Sequence, residues 1–101
     1  MTWLSLRLPD LVDKLPPNVQ EAVQMFDARV KERFPVGTSE EGLRAELHKQ
    51  GFQLSSAYHG FQDATYRRRF PFRVSWSVRW KARRGRVVDV WGAEGTRRPD
   101  R

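Results

Sequence analysis

The sequence predicts a small α+β domain in which two helices pack on one face of a three-stranded antiparallel sheet. Apolar residues recur at helical spacing between residues 18 and 50, and they alternate with polar residues between 52 and 92. The chain has 101 residues, 39% of them hydrophobic and 12% aromatic, which suffices for one core. We therefore expect a single domain over 1–92 and a flexible tail over 93–101.

The first element is short. Apolar residues in 8–15 fall at helical spacing, which predicts a helix at 9–15 with Asp10 as its cap. The alternating leucines of residues 4–8 fit a strand as well. Pro16 and Pro17 end this element, because neither proline can donate to a helical ladder.

A helix over 18–33 is the clearest prediction. Asn18 is a good N-cap residue, and Glu21 stands three residues later, as in a capping box. Pro35 ends the helix. Its apolar stripe consists of Val19, Ala22, Val23, Phe26, Val30 and Phe34.

The second main helix is predicted over 39–50. Thr38 and Glu41 match a second capping box, and Gly51 followed by Phe52 matches a Schellman ending. Its large apolar residues are Leu43 and Leu47.

Period-two alternation predicts strands at 52–58, 72–82 and 86–92, the last two joined by the turn Arg83-Arg84-Gly85. The strand over 72–82 separates its side chains most clearly. One face carries Phe72, Val74, Trp76, Val78 and Trp80, and the other carries Arg73, Ser75, Ser77, Arg79 and Lys81. We expect the aromatic face to lie in the core beneath the helices, with the cationic face outside.

Residues 59–71 leave two alternatives open. Tyr66, Arg68 and Phe70 alternate, which fits a further strand that runs up to Pro71. The other alternative is an exposed loop that carries the three arginines of 67–69.

Two stretches together resemble a known family. The first is Gly37-Thr38-Ser39 with Leu43, Leu47 and Gly51-Phe52; the second is Trp76-Ser77-Val78-Arg79-Trp80 with Gly85, Val87 and Val90. The layout over 37–92 resembles small bacterial domains of the outer-membrane-assembly lipoprotein type (SmpA/OmlA) and related β-lactamase-inhibitor-like repeats. That resemblance implies two helices on a three-stranded sheet and a role in binding proteins without catalysis. The chain departs from those lipoproteins in lacking a signal peptide and a lipid-accepting Cys.

Charge is unevenly distributed along the chain. Residues 1–60 hold seven Lys/Arg and eight Asp/Glu, whereas 61–101 hold twelve Lys/Arg and four Asp/Glu. This asymmetry predicts an acidic partner, which could be a nucleic acid, an anionic membrane or an acidic protein. The candidate binding residues are Arg67, Arg68, Arg69, Arg73, Arg79, Lys81, Arg83, Arg84 and Arg86.

Signals for catalysis are weak. The chain has no Cys, which excludes thiolate zinc sites and Cys nucleophiles, and its seven glycines form no phosphate-binding loop. His59 and Asp63 could pair as an oriented base, but no nucleophile accompanies them. We therefore expect no enzyme activity, no metal and no cofactor. No stretch approaches the ~20 apolar residues of a membrane span, and the default compartment is the cytoplasm.

The leading functional hypothesis is a non-catalytic module that binds an acidic protein surface. The alternative is a nucleic-acid-binding accessory protein that uses the basic stretch 67–86. Base-stacking surfaces place aromatics and cations on the same exposed face, and the strand 72–82 keeps them apart. Oligomeric state stays open.

Overall fold

The computed structural model describes residues 8–58, 60–68 and 74–96. Its elements are α1 (Val19–Arg33), α2 (Glu40–Lys49), β1 (Gln53–Tyr58), β2 (Phe61–Arg68), β3 (Val74–Arg83) and β4 (Arg86–Thr96). The strands form one antiparallel sheet in the order β1-β2-β3-β4. The α+β class is confirmed, but the sheet has four strands where the sequence predicted three.

The additional strand is β2, in the segment that the sequence left open between strand and loop. It pairs with β3 from Gln62 opposite Trp80 to Arg68 opposite Val74. Ala64 is fully buried in the middle of β2, while its polar neighbours lie on the other face. The pattern is hard to recognise because Ala64 is small. The predicted extension through Phe70 to Pro71 lies outside the described residues.

The last strand is longer than expected. β4 runs to Thr96 and pairs there with Val74, so residues 93–96 belong to the sheet and not to a tail. Beyond Trp91 the sequence has no large apolar residue, and pairing with β3 is what extends the strand. Residues 97–101 lie outside the described part of the chain.

The N-terminal segment forms a turn and not the predicted helix. Val12 N–H donates to the Pro9 carbonyl at 3.0 Å, and Lys14 adopts a left-handed φ of 58°, which stops helical winding. The guanidinium of Arg29 on α1 donates hydrogen bonds to three carbonyls that would otherwise accept within a helix. They are those of Asp10, Leu11 and Asp13. The alternative strand over 4–8 falls almost entirely outside the described residues.

Helix α1 follows its prediction closely. The Asn18 side chain accepts a hydrogen bond from Glu21 N–H at 3.0 Å, so Asn18 is the N-cap. The return bond of a capping box, from Asn18 N–H to the Glu21 carboxylate, does not form among the described residues. Val19 is 57% exposed and does not belong to the stripe. The buried residues of the stripe are Ala22, Phe26, Val30 and Phe34.

Helix α2 begins one residue later than the predicted capping box. Ser39 is the N-cap, and its hydroxyl accepts from Gly42 N–H at 3.2 Å. Thr38 instead donates its hydroxyl to the Pro35 carbonyl. The Schellman ending is confirmed, since Gly51 has a φ of 95° and Phe52 N–H donates to the Leu47 carbonyl at 2.9 Å.

The core lies between the helices and one face of the sheet. Trp76 is 7% exposed and Trp80 is fully buried, which confirms that the aromatic face of β3 points inward. The Phe26 ring on α1 packs against Trp76 with ring centroids 5.0 Å apart. Burial of each such side chain stabilises the fold by roughly 1.5–3 kcal/mol.

The β3–β4 hairpin closes through a two-residue turn. Arg84 and Gly85 have φ values of 54° and 77°, so both central residues adopt the left-handed conformation of a type I′ turn. Gly85 takes this conformation without strain, whereas Arg84 is an uncommon choice there. The predicted turn Arg83-Arg84-Gly85 is confirmed.

Candidate functional site

The sheet face turned away from the core is the candidate site, and we call it the open face. Both helices contribute buried residues to the opposite face, and no described helix covers this one, where Ser77 is buried and Arg67, Lys81 and Asp89 are exposed. Strand register places alternate residues of β2, β3 and β4 there. They are Phe61, Asp63, Thr65, Arg67, Ser75, Ser77, Arg79, Lys81, Asp89 and Trp91.

Two aromatic side chains meet on the open face. Phe61 on β2 and Trp91 on β4 have ring centroids 5.3 Å apart with an interplanar angle of 71°, an edge-to-face pair. Trp91 stands opposite Arg79 in the register of β3 and β4. Phe61 and Trp91, called the aromatic pair below, therefore meet across the central strand β3.

Arg79 lies between the aromatic pair and a carboxylate. Its guanidinium carbon is 5.3 Å from the centre of the Phe61 ring, a cation–π arrangement. Its Nε lies 3.5 Å from Asp63 Oδ2, an ion pair without a well-formed hydrogen bond, and this Nε is buried. Within the described residues, the Arg79 guanidinium donates no hydrogen bond. The side chain is 33% exposed, so its terminal donors remain available to a ligand.

A row of hydroxyl groups continues the open face along β2 and β3. Thr65 donates to Asp63 Oδ1 at 3.1 Å, which fixes that carboxylate beside Arg79. The hydroxyls of Thr65 and Ser77 lie 3.0 Å apart, and Ser75 donates to the Gly95 carbonyl at 3.0 Å. These side chains are small, so the floor of the open face is shallow and polar beyond the aromatic pair.

The structure divides the nine predicted binding residues into separate groups. Arg67, Arg79 and Lys81 lie on the open face, whereas Arg83, Arg84 and Arg86 cluster at the hairpin. The start of β3 and this hairpin are about 30 Å apart, because each strand residue advances roughly 3.3 Å. The side chain of Arg68, and Arg69 and Arg73 entirely, lie outside the described residues.

The open face is less basic than the sequence predicts. The stretch from Ala64 to Val88 contains no acidic residue, but Asp63 and Asp89 flank it. Strand pairing places both of these carboxylates on the same face as the cations. Asp63 pairs with Arg79, and Asp89 stands opposite Lys81. A contiguous basic run in sequence therefore becomes a face of mixed charge.

Sequence reasoning missed the aromatic pair because it examined β3 alone. Phe61 fell in the unassigned segment. A β-bulge decides on which face of the sheet Trp91 lies. Lys81 pairs with Asp89 and Ala82 pairs with Val87, so Val88 is the extra residue of the bulge. The bulge puts Val87 and Val90 in the core and Trp91 outside. The adjacent Val90 and Trp91 were the available signal, because neighbours in a strand face opposite ways.

A similar cluster occurs on the buried side. Trp80 Nε1 donates to Glu40 Oε2 at 2.9 Å, and the Arg44 guanidinium lies 5.5 Å from the Trp80 ring. Arg44 also donates to Gln62 Oε1 at 3.1 Å. Glu40, in the first turn of α2, therefore satisfies a buried indole. This cluster is a structural joint between α2 and the sheet.

Other site chemistry receives little support. His59 lies outside the described residues, and Asp63 is engaged by Arg79 and Thr65. Within the described ranges, His, Asp and Glu side chains nowhere gather in a group of three that could hold a metal ion. Neither described helix has the length and apolar character needed to cross a membrane.

Comparison of the chain with family models, with curated proteins and with solved structures returns no match. The resemblance to the outer-membrane-assembly lipoproteins therefore stays a prediction. Its three-stranded layout differs from the four-stranded sheet found here.

Proposed function

We propose that this protein is a small non-catalytic binding module whose open face recognises an acidic segment of another protein that also carries apolar side chains. One observation supports this most directly. The Arg79 guanidinium is held against Phe61 and Asp63 with its terminal donors unused by described residues, directly beside Trp91. Arg and Trp are the residues that most often dominate the energy of protein interfaces.

The geometry suits a carboxylate next to an apolar group. Arginine presents parallel N–H donors that match the two oxygens of a carboxylate. Because Asp63 and Phe61 already fix the guanidinium, little side-chain entropy remains to be lost on binding. An apolar side chain of the partner would cover the aromatic pair and exclude water from the new ion pair.

A single-stranded nucleic acid is the second candidate, because aromatics and cations do share the open face. Three features favour a protein over it. The aromatic pair is edge-to-face and one ring already contacts Arg79, so it offers no parallel platform for bases. Asp63 and Asp89 would repel phosphates. Among the described residues, Arg67 and the hairpin arginines lie at opposite ends of the sheet, and the uncharged Thr65–Ser77 pair separates Arg67 from Arg79.

The proposal is tested with defined probes on the ¹⁵N-labelled full chain. We would titrate it with a short Leu/Asp peptide, its Leu/Asn analogue and a short oligothymidylate, at low salt and at about 0.15 M salt. We expect the acidic peptide alone to shift the Trp91 indole and Arg79 resonances, more weakly at the higher salt. Binding of the oligothymidylate without the peptide would replace the proposal with the nucleic-acid function. No shift on the open face with any probe would reject both.

Two variants assign the binding to this face. Trp91→Ala and Arg79→Gln should each weaken the acidic peptide by about tenfold, a loss typical of an interface residue of high energy. Arg84→Asn is the matched control, because it also removes one positive charge but lies in the hairpin turn. It should change affinity by less than about twofold, as expected for a distant exposed charge. Equal losses in Arg79→Gln and Arg84→Asn would show that only net charge matters.

A further inference from the structure

A groove of about 680 Å³ opens at the end of the sheet where β1 begins and β2 ends. Its walls come from the last turn of α2, the start of β1 and the end of β2. The polar groups that line it are those of His48, Gln53, Thr65, Tyr66 and Arg67. No Asp or Glu is among its described lining residues, so the groove has the charge character of an anion site.

Among the described residues, neither Arg67 nor His48 forms an ion pair. Arg67 is exposed and contacts no described carboxylate, and it is followed by a second arginine in β2. His48 is exposed in the last turn of α2, next to Lys49. In contrast, the nearest acid on that helix, Glu46, is held by Arg33 at 2.8 Å.

The groove is continuous with the open face through β2. Thr65 and Arg67 line the groove and also stand opposite Ser77 and Ser75 in the register with β3. Phe61 begins the same strand, six residues before Arg67. At roughly 3.3 Å per residue, the aromatic pair and the groove are about 20 Å apart along β2. Asp63 and Thr65 of β2, with Arg79 and Ser77 opposite them on β3, lie between Phe61 and Arg67 on this face.

We propose that the groove is the second half of the docking surface and binds a carboxylate of the same partner segment. This inference rests on the proposed function and gives the segment a length. An extended chain runs along β2 with an apolar residue on the aromatic pair. A carboxylate about six residues away in the segment then reaches Arg67 and His48. The hydroxyl row between them offers hydrogen bonds to the backbone of the segment.

The length is tested with peptides that carry a Leu pair and an Asp pair, joined by Gly/Ser spacers of about two, five or nine residues. Affinity for the full chain is measured by calorimetry. We expect the five-residue spacer to bind best and the two-residue spacer to bind more weakly, because its Asp pair can reach Arg79 but cannot reach the groove. The nine-residue spacer should be only about twofold weaker than the best, since excess linker length is penalised slowly.

The groove is tested with Arg67→Gln and His48→Gln. Arg67→Gln should weaken the five-residue-spacer peptide about fivefold and leave the two-residue-spacer peptide unchanged. His48→Gln should act in the same direction, and Arg84→Asn again serves as the charge-matched control. Affinities that are independent of spacer length, or equal effects of Arg67→Gln and Arg84→Asn, would overturn this inference. The proposed function would survive that result if all peptides still shifted Trp91, and it would fail if none did.

Discussion

The two faces of the sheet carry clusters of the same chemistry that serve different roles. On the inner face, Trp80 meets the Arg44 guanidinium and the Glu40 carboxylate. On the open face, the aromatic pair meets Arg79 and Asp63. Each cluster combines an aromatic ring, an arginine and an acid, but α2 covers only the first.

The difference teaches that residue type alone does not distinguish a structural joint from a binding site. Trp80 is fully buried and its indole N–H is satisfied within the chain, so this cluster has nothing left to offer a partner. Arg79 keeps donors that no described residue accepts, and Trp91 is half-buried. The inner cluster should therefore determine stability and the outer one should determine binding.

Replacement of the two tryptophans gives the largest expected contrast. Trp80→Ala should lower the free energy of unfolding by about 3–5 kcal/mol, because it empties a fully packed site. Trp91→Ala should lower it less, by about 1 kcal/mol, because this ring is only partly buried. Urea denaturation followed by far-ultraviolet circular dichroism measures both. If Trp80→Ala does not fold, Trp80→Phe keeps most of the packing and should lose about 1 kcal/mol through the missing indole hydrogen bond, since Glu40 keeps its ion pair with Arg44. Equal losses for Trp80 and Trp91 variants would contradict the assignment of roles.

Two glycines of β4 extend the comparison to backbone packing. An added Cβ at Gly92 would lie 2.6 Å from Phe26 Cδ2 and 3.1 Å from the Asp27 backbone, so α1 would have to move. Gly92→Ala should therefore cost about 1–3 kcal/mol in urea denaturation. Gly95 is the control on the open face. Its added Cβ would meet only the Ser75 hydroxyl at 2.9 Å, which can rotate away, and Gly95→Ala should cost under about 0.5 kcal/mol. Similar losses at both positions would mean that α1 adapts easily.

The local signals in the sequence predicted local structure well. Asn18 and Gly51 mark helix ends by side-chain or backbone chemistry that acts within one turn, and both predictions are confirmed. The alternation in β3 correctly predicted which tryptophans are buried. Thr38 was wrong as a cap because the adjacent Ser39 hydroxyl can cap the helix as well, without the acidic partner of a capping box, and only the path of the chain decides between them.

The site depends on pairing between distant segments, which the sequence pattern does not specify. Asp63 and Arg79 meet because of strand register, and Trp91 reaches the open face because a bulge shifts β4 by one residue. The second half of the proposed docking surface joins α2 to β2 in the same way. Cations were therefore predictable as residues, but their division into two groups, the ion pair of Arg79 with Asp63 and the position of Asp89 opposite Lys81 were not.

The smallest expected effect on stability comes from the contact between α1 and α2, the two helices that cover the inner face. Glu46 on α2 accepts from Gln50 at 2.8 Å and pairs with Arg33 on α1 at 2.8 Å. The hydrogen bond from Gln50, followed by the positive charges of Arg33 and Lys49, outweighs partial desolvation and lowers the pKa of Glu46. Since the pKa is lower in the folded chain than in the unfolded one, this stabilisation is present above the ordinary glutamate pKa. It is lost as pH falls through the folded value.

Glu46→Gln therefore tests whether the closed inner face depends on an ion pair between the helices. At pH 7 the variant should be less stable by up to about 1 kcal/mol, as measured for ion pairs near the surface. The difference should shrink as pH falls below about 4, because the wild-type carboxylate is then protonated as well. Urea denaturation at both pH values measures the gap, and peptide binding to the open face at pH 7 should not change. A gap that persists undiminished at low pH would mean that packing, and not charge, holds α2 against α1.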